Sequence, residues 1–252
     1  MTIKLPSGSC VRIFDELDST SLEAKRQFVD GVAGQTWFLA RHQTGGYGRQ
    51  GRKWQQQPGN FAASLLLPVT DGISADTLAL ASFASALAVA DAAEAEGVPS
   101  DQLSLKWPND VLLNGAKLSG LLLELQESEN RRALVIGIGV NLSYAPVVPD
   151  YATACLSDVL SAPTLPNPEQ FLARLDAHLD QHLQTLFTDG FQVLRKAWLE
   201  RAANIGKSVT ARLPRETITG IFEGIDETGA LLLRDDFRQY RITSGDVFFA
   251  SA

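Results

Sequence analysis

Lys106-Trp107-Pro108-Asn109-Asp110-Val111-Leu112-Leu113-Asn114-Gly115-Ala116-Lys117 reads as a strand end, a corner and a hairpin within twelve residues. Pro108 pushes Trp107 towards extended backbone, so a strand over 103–107 ends there. Asn114-Gly115 between two aliphatic runs is the strongest hairpin signal in the chain, because both central residues of a type I′ turn need positive φ. A two-residue turn sets Leu113 opposite Ala116, Leu112 opposite Lys117 and Asp110 opposite Ser119. Alternation of side chains then puts Asp110 and Lys117 on one face as diagonal neighbours, within reach of a long side chain. Two lysines, an indole, an amide and a carboxylate gathered at one strand end compose a site rather than a core.

Some sixty residues earlier the chain runs Gln43-Thr44-Gly45-Gly46-Tyr47-Gly48-Arg49-Gln50-Gly51-Arg52-Lys53-Trp54, rich in glycine and cations. Glycine lets successive backbone amides turn into one concavity and lets the chain pass close to a phosphate. Thr36 to Ala40 reads as a buried strand entering this loop and Phe61 to Leu67 as the strand leaving it. Val11 to Phe14 is a short strand, and Asp18-Ser19-Thr20-Ser21 opens a helix, with Thr20 and Glu23 at capping-box spacing and Gly31 as its stop. Ala75 to Glu96 contains no Gly or Pro and predicts one helix ended by Gly97. Leu134 to Leu142 is a buried strand carrying Gly137 and Gly139 before Asn141. No helix opens after those glycines, so they do not form a dinucleotide fingerprint.

Pro163, Pro166 and Pro168 mark a linker, after which residues 169–187 and 190–203 read as two amphipathic helices split by Gly190. From Ile205 the pattern changes to short β runs: Ser208 to Leu213, Thr217 to Ile225, Ala230 to Arg234, Gln239 to Thr243 and Val247 to Ala250. The expectation is an α+β chain with a first domain over 1–204 and a small barrel-like second domain over 205–252.

The 252 residues carry 22 Lys and Arg against 29 Asp and Glu, a net charge of −7. That balance argues against duplex DNA as a partner, since phosphate binding is driven by clustered cations. Residues 205–252 hold six cations and seven carboxylates and do not form a basic patch either. Cys10 and Cys155 show no metal-ligand spacing, and the aliphatic runs fall short of a membrane span. A reducing, cytoplasmic setting is expected, with no membrane and no nucleic acid.

Four segments together resemble biotin protein ligases: Ser19-Thr20-Ser21, the loop from Gln43 to Trp54, Lys106 to Asp110 with Lys117 and Gly120-Leu121-Leu122-Leu123-Glu124, and Gly137-Ile138-Gly139-Val140-Asn141. The tail around Gly224 to Leu233 is similar to that family's SH3-like C-terminal domain. The resemblance implies a mixed β-sheet catalytic domain flanked by helices. It also implies a two-step reaction: ATP activates biotin as biotinyl-5′-adenylate, and a lysine of a biotin carboxyl carrier domain then takes the biotinyl group. Mg²⁺ would accompany ATP, its ligands unknown. Lys117 and Arg49 would be catalytic. Ser19, Thr20, Gln43, Gly46, Tyr47, Lys117 and Gly120 would line the biotin site. Arg49, Arg52, Trp54, Lys106, Asn109 and Asn141 would serve the nucleotide, with Trp54 stacked on adenine. The chain opens directly on the catalytic segments, which points to the ligase-only class lacking an N-terminal DNA-binding domain. A homodimer through a sheet edge stays open.

Two positions depart from the family pattern: Tyr47 stands where the loop usually has its first arginine, and Ser21 where an asparagine is usual. A lipoate or octanoate ligase on the same scaffold, or a non-catalytic biotin or adenylate binder, are the competing readings. His178 and His182 have metal-ligand spacing on a helix, but without accompanying carboxylates they read as a solvated face. Cys155 in its apolar context reads as inert packing rather than as a thioester-forming nucleophile.

Overall fold

The computed structural model describes residues 3–70, 72–128, 130–149 and 151–249. The last strand expected from the sequence reaches Ala250, which lies outside the described residues. Eight strands form the larger sheet: β1 (Ile3–Lys4), β2 (Cys10–Leu17), β3 (Thr36–Gln43), β4 (Phe61–Val69), β5 (Leu103–Lys106), β6 (Asp110–Leu113), β7 (Ala116–Ser128) and β8 (Arg131–Val140). Their spatial order is β1-β2-β3-β4-β8-β7-β6-β5. Neighbours are antiparallel except β2 and β3, which run parallel and are joined by helix α1 (Thr20–Val29).

Alternation along the strands sends side chains into two layers. Phe38, Leu66, Ala133 and Val135 face α1, where Ala24 and Phe28 cover them. Trp37, Leu39, Leu65, Ile136 and Leu121 face the other way, into the core shared with α2 (Ala75–Ala79), α3 (Ala81–Ala95), α4 (Pro168–Thr188) and α5 (Phe191–Glu200). Burial of each such aromatic or aliphatic side chain contributes roughly 1.5–3 kcal/mol.

The sequence reading of one helix over 75–96 gives way to two, separated at Leu80. Leu80 and Phe83 pack where a Cβ on Gly229 would fall 3.0 and 2.7 Å away, so this joint lies under the turn of the second domain. Pro168 belongs to the first turn of α4 rather than to the linker, with Asn167 and Gln170 forming a reciprocal cap. Ser19, not Thr20, caps α1.

The second sheet contains β9 (Ser208–Arg212), β10 (Thr217–Ile225), β11 (Leu231–Arg234), β12 (Gln239–Ile242) and β13 (Asp246–Phe249), all antiparallel in the order β12-β11-β10-β9-β13. Trp107 is buried and donates its indole N–H to Gly229 O at 2.9 Å, which fastens the two sheets together. Residues 201–203 run beside the β5 edge, with Leu105 N donating to Arg201 O and Ala203 N donating to Leu105 O, both at 2.8 Å.

Candidate functional site

The β6–β7 hairpin forms with the Asn114-Gly115 turn at φ 50° and 79°. Leu113 faces Ala116 and Leu112 faces Lys117, but a bulge at Leu118 then sets Asp110 opposite Gly120 rather than Ser119. The extra residue shifts the register while keeping the diagonal pair: Lys117 Nζ lies 2.7 Å from Asp110 Oδ1. Beyond the end of β8, the segment 152–154 takes its place beside Lys117, whose N–H donates to Ala152 O at 2.8 Å and whose carbonyl accepts from Ala154 N at 2.9 Å. Tyr151 then places its ring centroid 5.2 Å from Lys117 Nζ.

Lys117 stands at one side of a cavity floored by Gly120, Gly137 and Gly139. Glycine is required here by space rather than by φ. A Cβ on Gly137 would come 2.7 Å from Ser21 Oγ, and one on Gly139 would overlap the Trp54 indole. The N-terminus of α1 faces this floor with Ser19, Thr20 and Ser21, and the positive end of the helix dipole there favours an electron-rich ligand group. Gln43 at the end of β3 accepts from Thr20 N at 2.8 Å through Oε1, and Thr20 and Ser21 hydroxyls meet Ser64 Oγ at 2.8 and 3.0 Å. The hydroxyls of Thr20, Ser21 and Ser64 and the Gln43 carbonyl oxygen are thereby buried and satisfied.

The glycine-rich loop folds over this floor. Tyr47 pairs with Lys53 across it, and Trp54 N donates to Gly46 O at 2.9 Å. Arg49 Nη1 reaches Asn109 Oδ1 at 3.3 Å, and Arg52 Nη2 reaches Asp246 Oδ1 at 2.8 Å. Lys106 Nζ lies 5.1 Å from the ring centroid of Phe249. Burial lowers the pKa of Lys106 below the ordinary lysine range, opposed by Asp110 and reinforced by Lys117. Arg49 is lowered in the same direction by burial. The indole nitrogen of Trp54 is buried with no protein partner, a donor that a ligand can satisfy.

Ser19, Thr20, Gln43, Tyr47, Arg49, Arg52, Trp54, Lys106, Asn109, Lys117 and Gly120 thus all line one cavity. Two of the residues singled out by sequence are placed differently. Gly46 lies behind the wall, where its missing side chain leaves room for the Gln43 amide. Asn141 does not line the cavity: its Nδ2 donates to Ala154 O at 3.1 Å, and its carbonyl oxygen accepts from Leu156 N, so it braces the segment beside Lys117. Asp246, Val247 and Phe248 of β13 also line the cavity, as does Tyr151. Nothing local in the sequence marks them, because topology alone carries them there.

The remaining candidates lie elsewhere. His182 is not solvated: its Nε2 sits 2.6 Å from Asp91 Oδ2, and Arg201 joins the same carboxylate at 2.8 Å. Cys155 is buried beside Ser157 and Asp158, and burial raises its thiol pKa, which disfavours the thiolate a nucleophile needs. No group of three or more His, Cys, Asp or Glu able to hold a metal exists among the described residues.

Residues 14–141 match the model of the biotin/lipoate A/B protein ligase family, and residues 205–250 match that of the biotin protein ligase C-terminal domain. The chain is 42% identical over 236 residues to the biotin–[acetyl-CoA-carboxylase] ligase of Paracoccus denitrificans, an alignment covering 92% of this chain and 97% of that one. It is 32% identical over 240 residues to the bifunctional ligase/repressor BirA of Bacillus subtilis, covering 92% of this chain and 72% of the relative. Among solved structures it resembles biotin protein ligase from Aquifex aeolicus in complex with biotin and ATP, with a TM-score of 0.79 at 27% identity, covering 94% of this chain and 97% of that one. With the cavity, the two sheets and these likenesses in agreement, the chain belongs to the biotin/lipoate A/B protein ligase family and, within it, to the biotin protein ligases.

Proposed function

We propose that this chain is an ATP-dependent biotin protein ligase whose two half-reactions share the cavity around Lys117. A carboxylate oxygen of biotin attacks the α-phosphorus of ATP, pyrophosphate leaves, and the mixed anhydride biotinyl-5′-adenylate remains. A neutral lysine amine of the acceptor then attacks the anhydride carbonyl and AMP departs. The acceptor is a biotin carboxyl carrier protein of an acetyl-CoA carboxylase, a reading supported by the name of the Paracoccus relative.

The observation that carries the proposal is the polarity gradient across one glycine floor. Neutral hydrogen-bonding groups, Thr20, Ser21 and Gln43, gather at one end, and the cations Lys117, Lys106, Arg49 and Arg52 at the other. With the Gln43 carbonyl taken by Thr20, its amide nitrogen is the end that offers a hydrogen bond to a ureido oxygen. Two anions, a carboxylate and a phosphate, repel on approach, so fixed cations where charge accumulates lower the barrier. Lys117 holds the biotin carboxylate and the α-phosphate oxygens, Arg49 and Arg52 the phosphates, and Asn109 and Trp54 the nucleoside. Mg²⁺ accompanying ATP would offset phosphate charge. The carboxylates that line the cavity are Asp110 and Asp246, and one or two protein oxygens suit this ion. The cysteines are not paired with each other, in keeping with a reducing cytoplasmic setting.

Mass spectrometry of a carrier domain after incubation with enzyme, ATP and either biotin, lipoate or octanoate tests the proposal. The expected result is a mass gain of one biotinyl group in the biotin reaction alone. A gain with lipoate or octanoate instead, or adenylate formation without transfer, would overturn it.

A further inference from the structure

The tyrosine that replaces a cation in the glycine-rich loop has partners of its own. Tyr47 Oη donates to Glu124 Oε2 at 2.9 Å and accepts from Lys25 Nζ at 3.1 Å, while Lys25 Nζ meets Glu124 Oε1 at 2.5 Å. The three side chains close a ring of hydrogen bonds joining three separate elements: the loop, α1 and β7. Lys25 lies one turn beyond Ser21 on the same face of α1. Glu124 lies four residues beyond Gly120 on the same face of β7. The ring therefore sits at the end of the cavity away from Lys117, beyond Ser21 and Leu122.

Its position complements the other attachments of the loop. Arg49 and Arg52 tie the far part of the loop to Asn109, Gly245 and Asp246, on the side of the second sheet. Tyr47 ties the near part to α1 and β7. A neutral hydroxyl also avoids adding a further like charge to a loop that already carries Arg49, Arg52 and Lys53. Both Lys25 and Glu124 are about three-quarters covered, and a hydrogen bond to a charged group in such a setting exceeds one between neutral groups. Burial opposes the charge on Lys25, but Glu124 and Tyr47 outweigh it and raise its pKa.

We infer that Lys25, Tyr47 and Glu124 form a latch that holds the glycine-rich loop over the ligand cavity, with Tyr47 as its positioning residue. Lys25 is anchored on Glu124 from α1, and the hydroxyl of Tyr47 passes that hold to the loop. The consequence for the enzyme rests on the adenylation reading: a loop held at both ends releases a reactive anhydride more slowly than one held at one end.

Trypsin cleavage after Arg49, Arg52 and Lys53 in the ligand-free native protein tests the latch without relying on that reading. Opening the latch exposes these bonds, so Y47F and K25M are each expected to be cut about tenfold faster, the factor corresponding to one such hydrogen bond. The double variant is expected to be cut no faster than either single one, because both remove the same device. K25R is expected to remain within twofold of wild type. Cleavage of Y47F at the wild-type rate, or multiplying effects in the double variant, would overturn the latch. Release of biotinyl-adenylate from the same set, followed by rapid filtration, is expected to change in parallel. Parallel cleavage without any adenylate would leave the latch standing and sink the adenylation reading.

Discussion

Lys117 meets opposing demands. In the proposed adenylation it would be held still enough to organise two anions while its charge remains available to them. The backbone of segment 152–154 fixes its main chain, and Asp110 and Tyr151 hold the ammonium in waiting. Lys117→Ala is expected to lower biotin-dependent pyrophosphate release at least ~10²-fold, the scale of losing a preorganised charge at a reacting centre. A rate within twofold of wild type, measured with a coupled pyrophosphate assay, would remove Lys117 from the chemistry. Gly139→Ala acts by volume: its methyl would displace the Trp54 indole. Calorimetry is expected to show biotin binding weakened about tenfold or more, in line with an overpacking cost of 1–3 kcal/mol. At this scale the sequence was legible where chemistry clusters in short segments. Asn141 was not, since an amide beside a glycine pair can serve a ligand or a backbone equally well. Its hydrogen bonds to Ala154 and Leu156 are long-range contacts.

The elements follow the sequence closely where one local rule governs them. Asn114-Gly115 sets a hairpin through backbone strain alone, and nothing lies within 4 Å of a Cβ placed on Gly115. Gly115→Ala is therefore expected to cost about 1–2 kcal/mol, the penalty of a left-handed residue, in a denaturant titration. No local rule announces the bulge at Leu118, which fits the hairpin to the segment that flanks Lys117. Nor does any residue announce the break at Leu80, which packs under the turn of the second domain. The β10–β11 turn has its own charge control. Burial pushes the Asp226 carboxyl up, but bonds from Thr228, Arg241 and Ala230 outweigh it and bring its pKa down to about 2 from 3.8. A depressed carboxyl contributes stability that is complete above its unfolded value and lost as pH falls between about 4 and 2. The contribution is on the order of 1–2 kcal/mol after solvent screening. Asp226→Asn is expected to flatten the pH dependence of Tm across that window; an unchanged slope would place the acid sensitivity elsewhere.

Across the whole molecule, the cavity is completed by the second sheet. β13 brings Asp246, Val247 and Phe248 to a site whose other walls all precede residue 152. Asp246 faces Arg52 at 2.8 Å and Arg49 at 4.0 Å, on the side where the phosphates are proposed to lie. Asp246→Lys would gather three cations and free the loop, and steady-state kinetics are expected to show KM for ATP raised at least tenfold with the Kd for biotin changed less than threefold. Equal effects on both ligands would mean a general loss of structure. The two hydrogen bonds between Leu105 and residues 201–203 have a mechanical meaning. Leu105 precedes Lys106, and Arg201 and Ala203 lead into the second domain, so the tether and the active-site strand are sewn together at their base. A pull on the C-terminal barrel would travel along this seam to Lys106 and the corner at Pro108. The second sheet is thus anchored at the base of the strand that carries Lys106, not strung on a free tether.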